Sequence, residues 1–245
     1  MRYDLIVLGA GAAGLMAAAH LPRRRILLID HNERPGRKIE ISGGGRCNLT
    51  NRNLSSADYL GDSVFVDAVL KRFDNLALLD FLKRRGLAPV LRKGDQYFCK
   101  ESAGELTALL RDAAAHAEFS YGTEILSVRK SGEVFIVETS RGSFETEKVL
   151  VATGGLSYAS VGASGIGYEI AESFGHTIVP PRPALAGLTL QPPQKWMRGL
   201  SGLSLPVEIA VGRRKLSGDL LFAHKGISGP AVLDASLFWN GGRIT

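Results

Sequence analysis

An α/β fold built on a parallel sheet is what the sequence predicts, and three stretches predict it. DLIVLG (residues 4–9) is a short apolar run closing on glycine, the pattern of a strand buried on both faces. AGAAGLMAAAHL (10–21) is alanine-rich and helix-favouring, and it stops at Pro22. RILLID (25–30) is a second buried strand ending in aspartate. Strand, helix and strand follow one another through connections of normal length, which makes a βαβ unit.

The remaining elements follow in order. Residues 63–86 carry apolar positions at helical spacing and end on Gly86, so one or two amphipathic helices are expected. SAGELTALLRDAAAHA (102–117) begins with Ser102 and has Glu105 three residues on, a capping-box start for another helix. EILSVRK, VFIVETS and SFETEKVLVATGG carry β signals, and the alternation in VFIVETS predicts an antiparallel hairpin or meander. KVLVAT (148–153) reads instead as a buried strand returning to the main sheet. After Pro180 the texture becomes proline-rich and irregular, and residues 205–224 look like the hairpin of a second, β-rich module. The boundary is placed near 187, giving a domain over 1–187 and an incomplete one over 188–245. LFWNGGRIT offers no obvious final element, and the second module holds too few strands for a barrel. A piece of a longer polypeptide is therefore expected.

Gly9-Ala10-Gly11-Ala12-Ala13-Gly14 is a GxGxxG sequence, weak by itself. Here it follows a strand, opens a helix, and precedes Asp30, 21 residues after Gly9, at the end of the next strand. That is the context a dinucleotide fingerprint requires. Gly9 makes the turn, Gly11 admits the pyrophosphate, and Gly14 lets helix and strand approach. The helix N-terminus supplies amide donors and a favourable dipole for phosphate. Asp30 accepts hydrogen bonds from the adenosine ribose and disfavours a 2′-phosphate. The fingerprint does not separate NAD from FAD.

Composition narrows the other classes. The net charge is +6, but basic residues come in short groups among 24 acidic ones. A solvated surface is expected, with a mild attraction for anionic ligands and no nucleic-acid partner. Cys47 and Cys99 lie far apart and form no CxxC, which argues against a disulfide framework, a zinc ribbon or a thioredoxin-like pair. The five histidines lack metal spacing, so no metal site is expected. No apolar run reaches membrane-spanning length, and the N-terminus enters a strand directly, so a cytoplasmic protein without membrane association is expected. Oligomeric state is left open.

Five stretches together resemble a flavoprotein family that includes aminoacetone oxidase-like enzymes and a bile-acid Δ4-reductase, the NAD(P)/FAD-dependent oxidoreductases. They are DLIVLGAGAAGLMAA, PGRKIEISGGGRCNLTN, VLVATGGLSY, IGYEIAESFGHTIVPPRPALAGL and LFAHKGISGPAVLDAS, in order across nearly the whole chain. SGGGRCN and ATGG are the specific pair. The resemblance implies a Rossmann-like FAD/NAD(P)-binding domain of the two-dinucleotide-binding type, with the start of an inserted β-rich substrate domain. It implies FAD in an extended pose, with Gly9–Gly14, Asp30 and the adjoining His31 on the ADP half. Arg37 and Lys38 match basic positions near the flavin and its phosphates. Ser42, Gly43, Gly44, Gly45, Arg46, Cys47 and Asn48 would run beside the isoalloxazine and ribityl chain, the glycines removing side chains so that backbone lies against a flat ring. Ala152, Thr153, Gly154 and Gly155 would pass near the adenine and phosphates, and Ile125 would offer adenine backbone contacts or be a core residue.

Several roles stay open. Arg46 is either a cation that stabilises the reduced flavin or a structural arginine bonded to nearby carbonyls. Cys47 is read as a small buried thiol without dithiol chemistry. His224, before Lys225 and GISGPA, is either a substrate-side acid/base or structural. Tyr158 and Tyr168 either donate protons or fill core. Gly165-Ile166-Gly167-Tyr168 replaces a GDGY element of the relatives, and Ala223 stands where they tend to have threonine. The family also continues past this C-terminus with a final FAD-binding segment. The expected function is an FAD-dependent oxidoreductase passing a hydride between flavin N5 and a small organic substrate, with oxygen or NAD(P)H as the other partner. The alternatives are an NAD(H)-dependent dehydrogenase without flavin and a non-catalytic nucleotide- or RNA-binding fragment.

Overall fold

In the computed structural model, which describes residues 2–92 and 94–241, the apolar runs of the first thirty residues pair as parallel strands. Strand β1 (Arg2–Tyr3) leads into β2 (Leu5–Leu8), helix α1 (Ala12–Ala19) and β3 (Ile26–Ile29). Next come α2 (Arg37–Ile41), β4 (Asn48–Asn51), α3 (Ser63–Leu70), α4 (Asn75–Lys83), β5 (Val90–Arg92), β6 (Gln96–Phe98), α5 (Gly104–Ala113) and β7 (Glu118–Ser120). A meander of β8 (Ile125–Ser131), β9 (Val134–Thr139) and β10 (Gly142–Thr146) follows, then β11 (Val149–Val151) and α6 (Ile166–Ser173). The central sheet has the order β11-β2-β3-β7, with every pairing parallel.

Alternation along the strands builds two cores, because successive side chains point to opposite faces. Val7, Ile26 and Leu28 bury against Leu15 of α1, Leu82 of α4 and Leu106 and Leu110 of α5. Ile6, Leu8, Leu27 and Ile29 bury on the other face against Val128 and Val137 of the meander and Ile170 of α6. Burying each such side chain contributes about 1.5–3 kcal/mol, so both faces hold the sheet. The meander is antiparallel, and β1 joins its β10 edge. A separate sheet has the order β4-β6-β5.

The 63–86 stretch resolves into two helices, each started by an aspartate. Asp62 accepts from the Val64 and Phe65 amides, and Asp74 from the Ala77 amide. In α5 the glutamate half of the expected box forms: Glu105 Oε1 accepts from the Ser102 amide at 2.8 Å and the Glu101 amide at 2.6 Å. The helix itself starts at Gly104, two residues after the serine, with Ala103 as its cap.

The chain divides into two compact units, Met1–Ile178 and Val179–Thr245, ahead of the boundary near 187. Residues 186 and 187 already belong to the second unit. The Ala186 amide donates to Ser236 Oγ at 3.0 Å, and a Cβ on Gly187 would sit 3.0 Å from the Ile227 carbonyl oxygen. This unit contains β12 (Leu188–Thr189), β13 (Ser204–Val211), β14 (Arg214–Ala223), β15 (Gly226–Ser228) and α7 (Pro230–Phe238). Its antiparallel sheet has the order β12-β15-β14-β13. Helix α7 takes in only Leu237 and Phe238 of the LFWNGGRIT tail, whose residues 242–245 lie outside the described residues. Pro230 opens the helix, where its missing N–H costs nothing, and Ala231, Val232 and Ala235 bury against Ile209 and Val211. No helix among the described residues is long and apolar enough to cross a membrane.

Candidate cofactor site

Gly9 follows β2, Asp30 follows β3 and Ala152 follows β11, so three neighbouring parallel strands end together. The chain moves from β2 to β3 and β7 on one side, then returns through β11 to the other. Ligands of open α/β sheets bind outside the carboxyl ends of the strands at such a reversal. Backbone contact there is close: Gly9 has φ +109°, and its Cβ would sit 2.5 Å from the Ala152 carbonyl oxygen. A Cβ on Gly14 would collide with the Gly9 carbonyl oxygen. On Gly11 it would meet nothing within 4 Å. Two glycines therefore close the turn, and the third leaves space above the helix. No side chain caps α1 and no acidic residue occupies its first turn, which leaves amide donors and the dipole facing that space.

Asp30 braces this turn. Its Oδ2 accepts from the Ala10 amide at 2.7 Å, while Oδ1 accepts from the Asn32 amide at 2.8 Å and Asn32 Nδ2 at 3.0 Å. An ionised carboxylate offers about four acceptor positions, so one remains on Oδ2. His31 Nδ1 lies 3.8 Å from Asp30 Oδ1.

The SGGGRCN segment forms a tight turn rather than a flat strip. Gly43, Gly44 and Gly45 have φ of +54°, +65° and +82°. A Cβ on Gly43 would lie 2.7 Å from the Asn48 amide nitrogen and 2.9 Å from the Phe98 ring. The turn returns the chain to the cavity at Cys47, itself at φ +50°. Cys47 is a small buried free thiol, and the structure brings the equally buried Cys99 close to it. The Cys99 amide donates to the Arg46 carbonyl at 3.0 Å, and Asn48 pairs with Phe98 across β4 and β6. The Cys99 thiol and the Ser42 hydroxyl outweigh burial and lower the Cys47 pKa to about 6, while its thiolate and burial push Cys99 up.

These parts enclose a cavity of about 940 Å³ within the first unit, at the upper end of the range for small-molecule and cofactor sites. Of the residues expected from sequence, Gly9, Gly11, Ala12, Ala13, Asp30, His31, Arg37, Lys38, Ser42, Cys47, Asn48, Ala152, Thr153 and Gly154 line it. Ile125 lines a smaller adjoining hollow of about 280 Å³ that shares Gly9, Asp30, His31 and Thr153 with it. Gly14, Gly43, Gly44, Gly45, Arg46 and Gly155 do not line the cavity. Arg46 has an exposed side chain. His224 lies in the second unit, exposed, with Nδ1 3.2 Å from Ser201 Oγ. Tyr168 lines the cavity, and Tyr158 is exposed. The sequence reading missed Phe73, Leu78, Leu106 and Leu110, which line the cavity from α4, α5 and the turn before α4. Their helical spacing marked them as core, and only the fold shows which core positions border the space. No cluster of three or more His, Cys, Asp or Glu able to hold a metal occurs among the described residues.

Residues 3–237 match the family described as HI0933-like protein Rossmann domain. The chain is 39% identical over 250 residues to a ribosomal RNA dihydrouridine synthase of Escherichia coli, covering 99% of this chain and 62% of that protein. A Haemophilus influenzae protein of the same name is 36% identical, with 96% and 61% covered. A 3-dehydro-bile acid delta(4,6)-reductase of Clostridium scindens is 30% identical, with 94% and 59% covered. The chain thus spans about three fifths of the length of these relatives. Among solved structures, the open conformation of a flavocytochrome c3 fumarate reductase aligns with a TM-score of 0.53 at 18% identity, over 83% of this chain and 47% of that one, a likeness of fold. Two relatives named for ribosomal RNA overturn the expectation that nucleic acid is not a partner class. Dispersed basic residues misled that reading, because short groups on separate elements can still meet a phosphate backbone. The cofactor that goes with this family and fold is FAD, and an open space over Gly11, uncapped helix amides and a free Asp30 acceptor fit it. On the match over residues 3–237, the chain belongs to the HI0933-like family and carries its Rossmann domain.

Proposed function

We propose that this chain is the FAD-binding part of a reductase that saturates a carbon–carbon double bond conjugated to a carbonyl, with a uridine of ribosomal RNA as its substrate. The observation that carries the reading is the cavity, where segments from Gly9 to Tyr168 converge on one dinucleotide-sized space. The relatives' names supply the chemistry. Dihydrouridine is uridine with its C5–C6 double bond reduced, and a delta(4,6)-reductase likewise removes ring double bonds. When bound, FAD supplies hydride transfer through N5, with NAD(P)H as the reductant.

In this reading the α1 amides and Gly11 hold the pyrophosphate, and the remaining Asp30 acceptor takes a ribose hydroxyl. His31, Ile125 and residues 152–154 border the adenosine. Arg37 and Lys38 offset phosphate charge, and Ser42, Cys47 and Asn48 face the flavin end. Arg46 is the cation nearest that end in sequence and the candidate for stabilising the reduced ring. The second unit is the start of the substrate domain, and His224 is its candidate acid. RNA contact is supported by the exposed β13–β14 turn with Arg213, Arg214 and Lys215, of which Arg214 stacks on Phe238 and Lys215 pairs with Glu208.

The test is an absorption spectrum of the purified chain, with mass spectrometry of any released cofactor. Flavin bands and released FAD are the expected result, and a colourless chain that takes up no added FAD would overturn the cofactor reading. Dihydrouridine in ribosomal RNA is then measured in cells with and without the gene. Unchanged dihydrouridine would overturn the substrate reading alone.

A further inference from the structure

We propose that Cys47 and Cys99 form a dithiol–disulfide couple built into the cavity wall, open to small disulfides that enter the cavity. The inference stands on the wall itself and not on which cofactor occupies the cavity. The two cysteines flank the Asn48–Phe98 pair of an antiparallel ladder. Both lie just outside the paired strands, and the Cys99 amide sits 3.0 Å from the carbonyl oxygen of the peptide that leads into Cys47; standard backbone dimensions then hold the two Cα atoms within about 7 Å, at the roughly 4.4–6.8 Å that a disulfide bridges. The bond from the Cys99 amide to the Arg46 carbonyl ties the strands at this point. Both cysteines are free and buried, Cys99 completely, but only Cys47 lines the cavity. One sulfur is therefore offered to an incoming molecule, and the other stands behind it.

The chemistry follows from that order. Cys99 and Ser42 stabilise the Cys47 thiolate, which is the attacking form. Its Sγ attacks one sulfur of a small disulfide, breaks that S–S bond and expels the first thiol, which takes up a proton. The Cys99 thiol then gives up its proton and attacks Cys47 Sγ, expelling the second small thiol. Two protein thiols lose two electrons and two protons, and one small disulfide becomes two thiols. The product ties the turn at 42–47 to β6 and changes the wall of the cavity.

The native chain is incubated with oxidised glutathione, quenched with N-ethylmaleimide, and digested with trypsin without reduction. The expected product is peptide 47–52 joined to peptide 94–100, two hydrogens lighter than their sum. A wild-type chain in which both peptides carry maleimide, or in which 47–52 carries glutathione with 94–100 unlinked, would overturn the proposal. In Cys99→Ser the glutathione adduct on Cys47 should accumulate, because nothing resolves it. In Cys47→Ser, Cys99 should lose its reactivity, and undiminished reaction would refute the order of attack. The wild-type measurement decides the pairing even if neither variant folds.

Discussion

Asp30→Ala removes the acceptor that holds the glycine turn, and its cost follows from two backbone hydrogen bonds. The Ala10 amide is buried and receives its bond from Oδ2 at 2.7 Å. Left unsatisfied, such a donor costs about 1–3 kcal/mol. The Asn32 amide is partly buried and loses a charged acceptor at 2.8 Å, adding about 1 kcal/mol. The sum is about 2–4 kcal/mol, which for a unit of this size lowers Tm by roughly 5–15 °C. Asp30→Asn should fall between wild type and alanine, since its oxygen keeps one bond while its amide faces other donors. Thermal unfolding followed by circular dichroism measures the shift without any cofactor added. An alanine variant melting within about 1 °C of wild type would refute the bracing role and leave Asp30 as a ligand contact only.

Gly14→Ala drives a methyl into the Gly9 carbonyl oxygen, which cannot retreat from the strand end. A loss of about 3 kcal/mol in urea unfolding is expected, and a neutral substitution would show that helix and strand can part. Alkylation of Cys47 by iodoacetamide should rise roughly tenfold between pH 5 and pH 7, as a thiol titrating at about 6 requires. A rise near a hundredfold would mean that the thiol keeps its ordinary pKa. With FAD bound, Arg46→Met should lower the midpoint potential of the flavin, and an unchanged potential would remove Arg46 from the reaction. Replacing Arg213, Arg214 and Lys215 by alanine should weaken retention of ribosomal RNA and flatten its salt dependence. Equal retention in a salt series would place the RNA surface elsewhere.

The parts of the fold legible in the sequence are those set by local pattern. β2, α1 and β3 announce themselves through apolar runs and a glycine turn, and the alternation of 134–139 foretells the meander. The short strands do not. Glu118–Ser120 has no apolar run, and becomes β7 because β3 offers it an open edge. In the β4-β6-β5 sheet, β4 depends on partners 45 to 50 residues away, which spacing rules do not reach. The same holds at the site. Gly9, Asp30 and Ala152 were legible because each ends a recognisable strand. Cys99 was not, since its place behind Cys47 is fixed by the register of two short strands. The glycines at 43–45 stand out in the sequence, and their left-handed turn gives a backbone reason for them that composition does not show.

The central sheet also sets a timetable. β2 finds its first neighbour, β3, about twenty residues later, but β11 must complete the other side, with Ile6 opposite Val149. At ribosomal speeds of about 5–20 residues per second, those strands are made roughly seven to thirty seconds apart. Throughout that interval one edge of β2 is unpaired and apolar, the kind of edge that recruits wrong partners. The three strand ends that build the cavity coexist only once β11 docks. A cofactor arriving early meets half of its site.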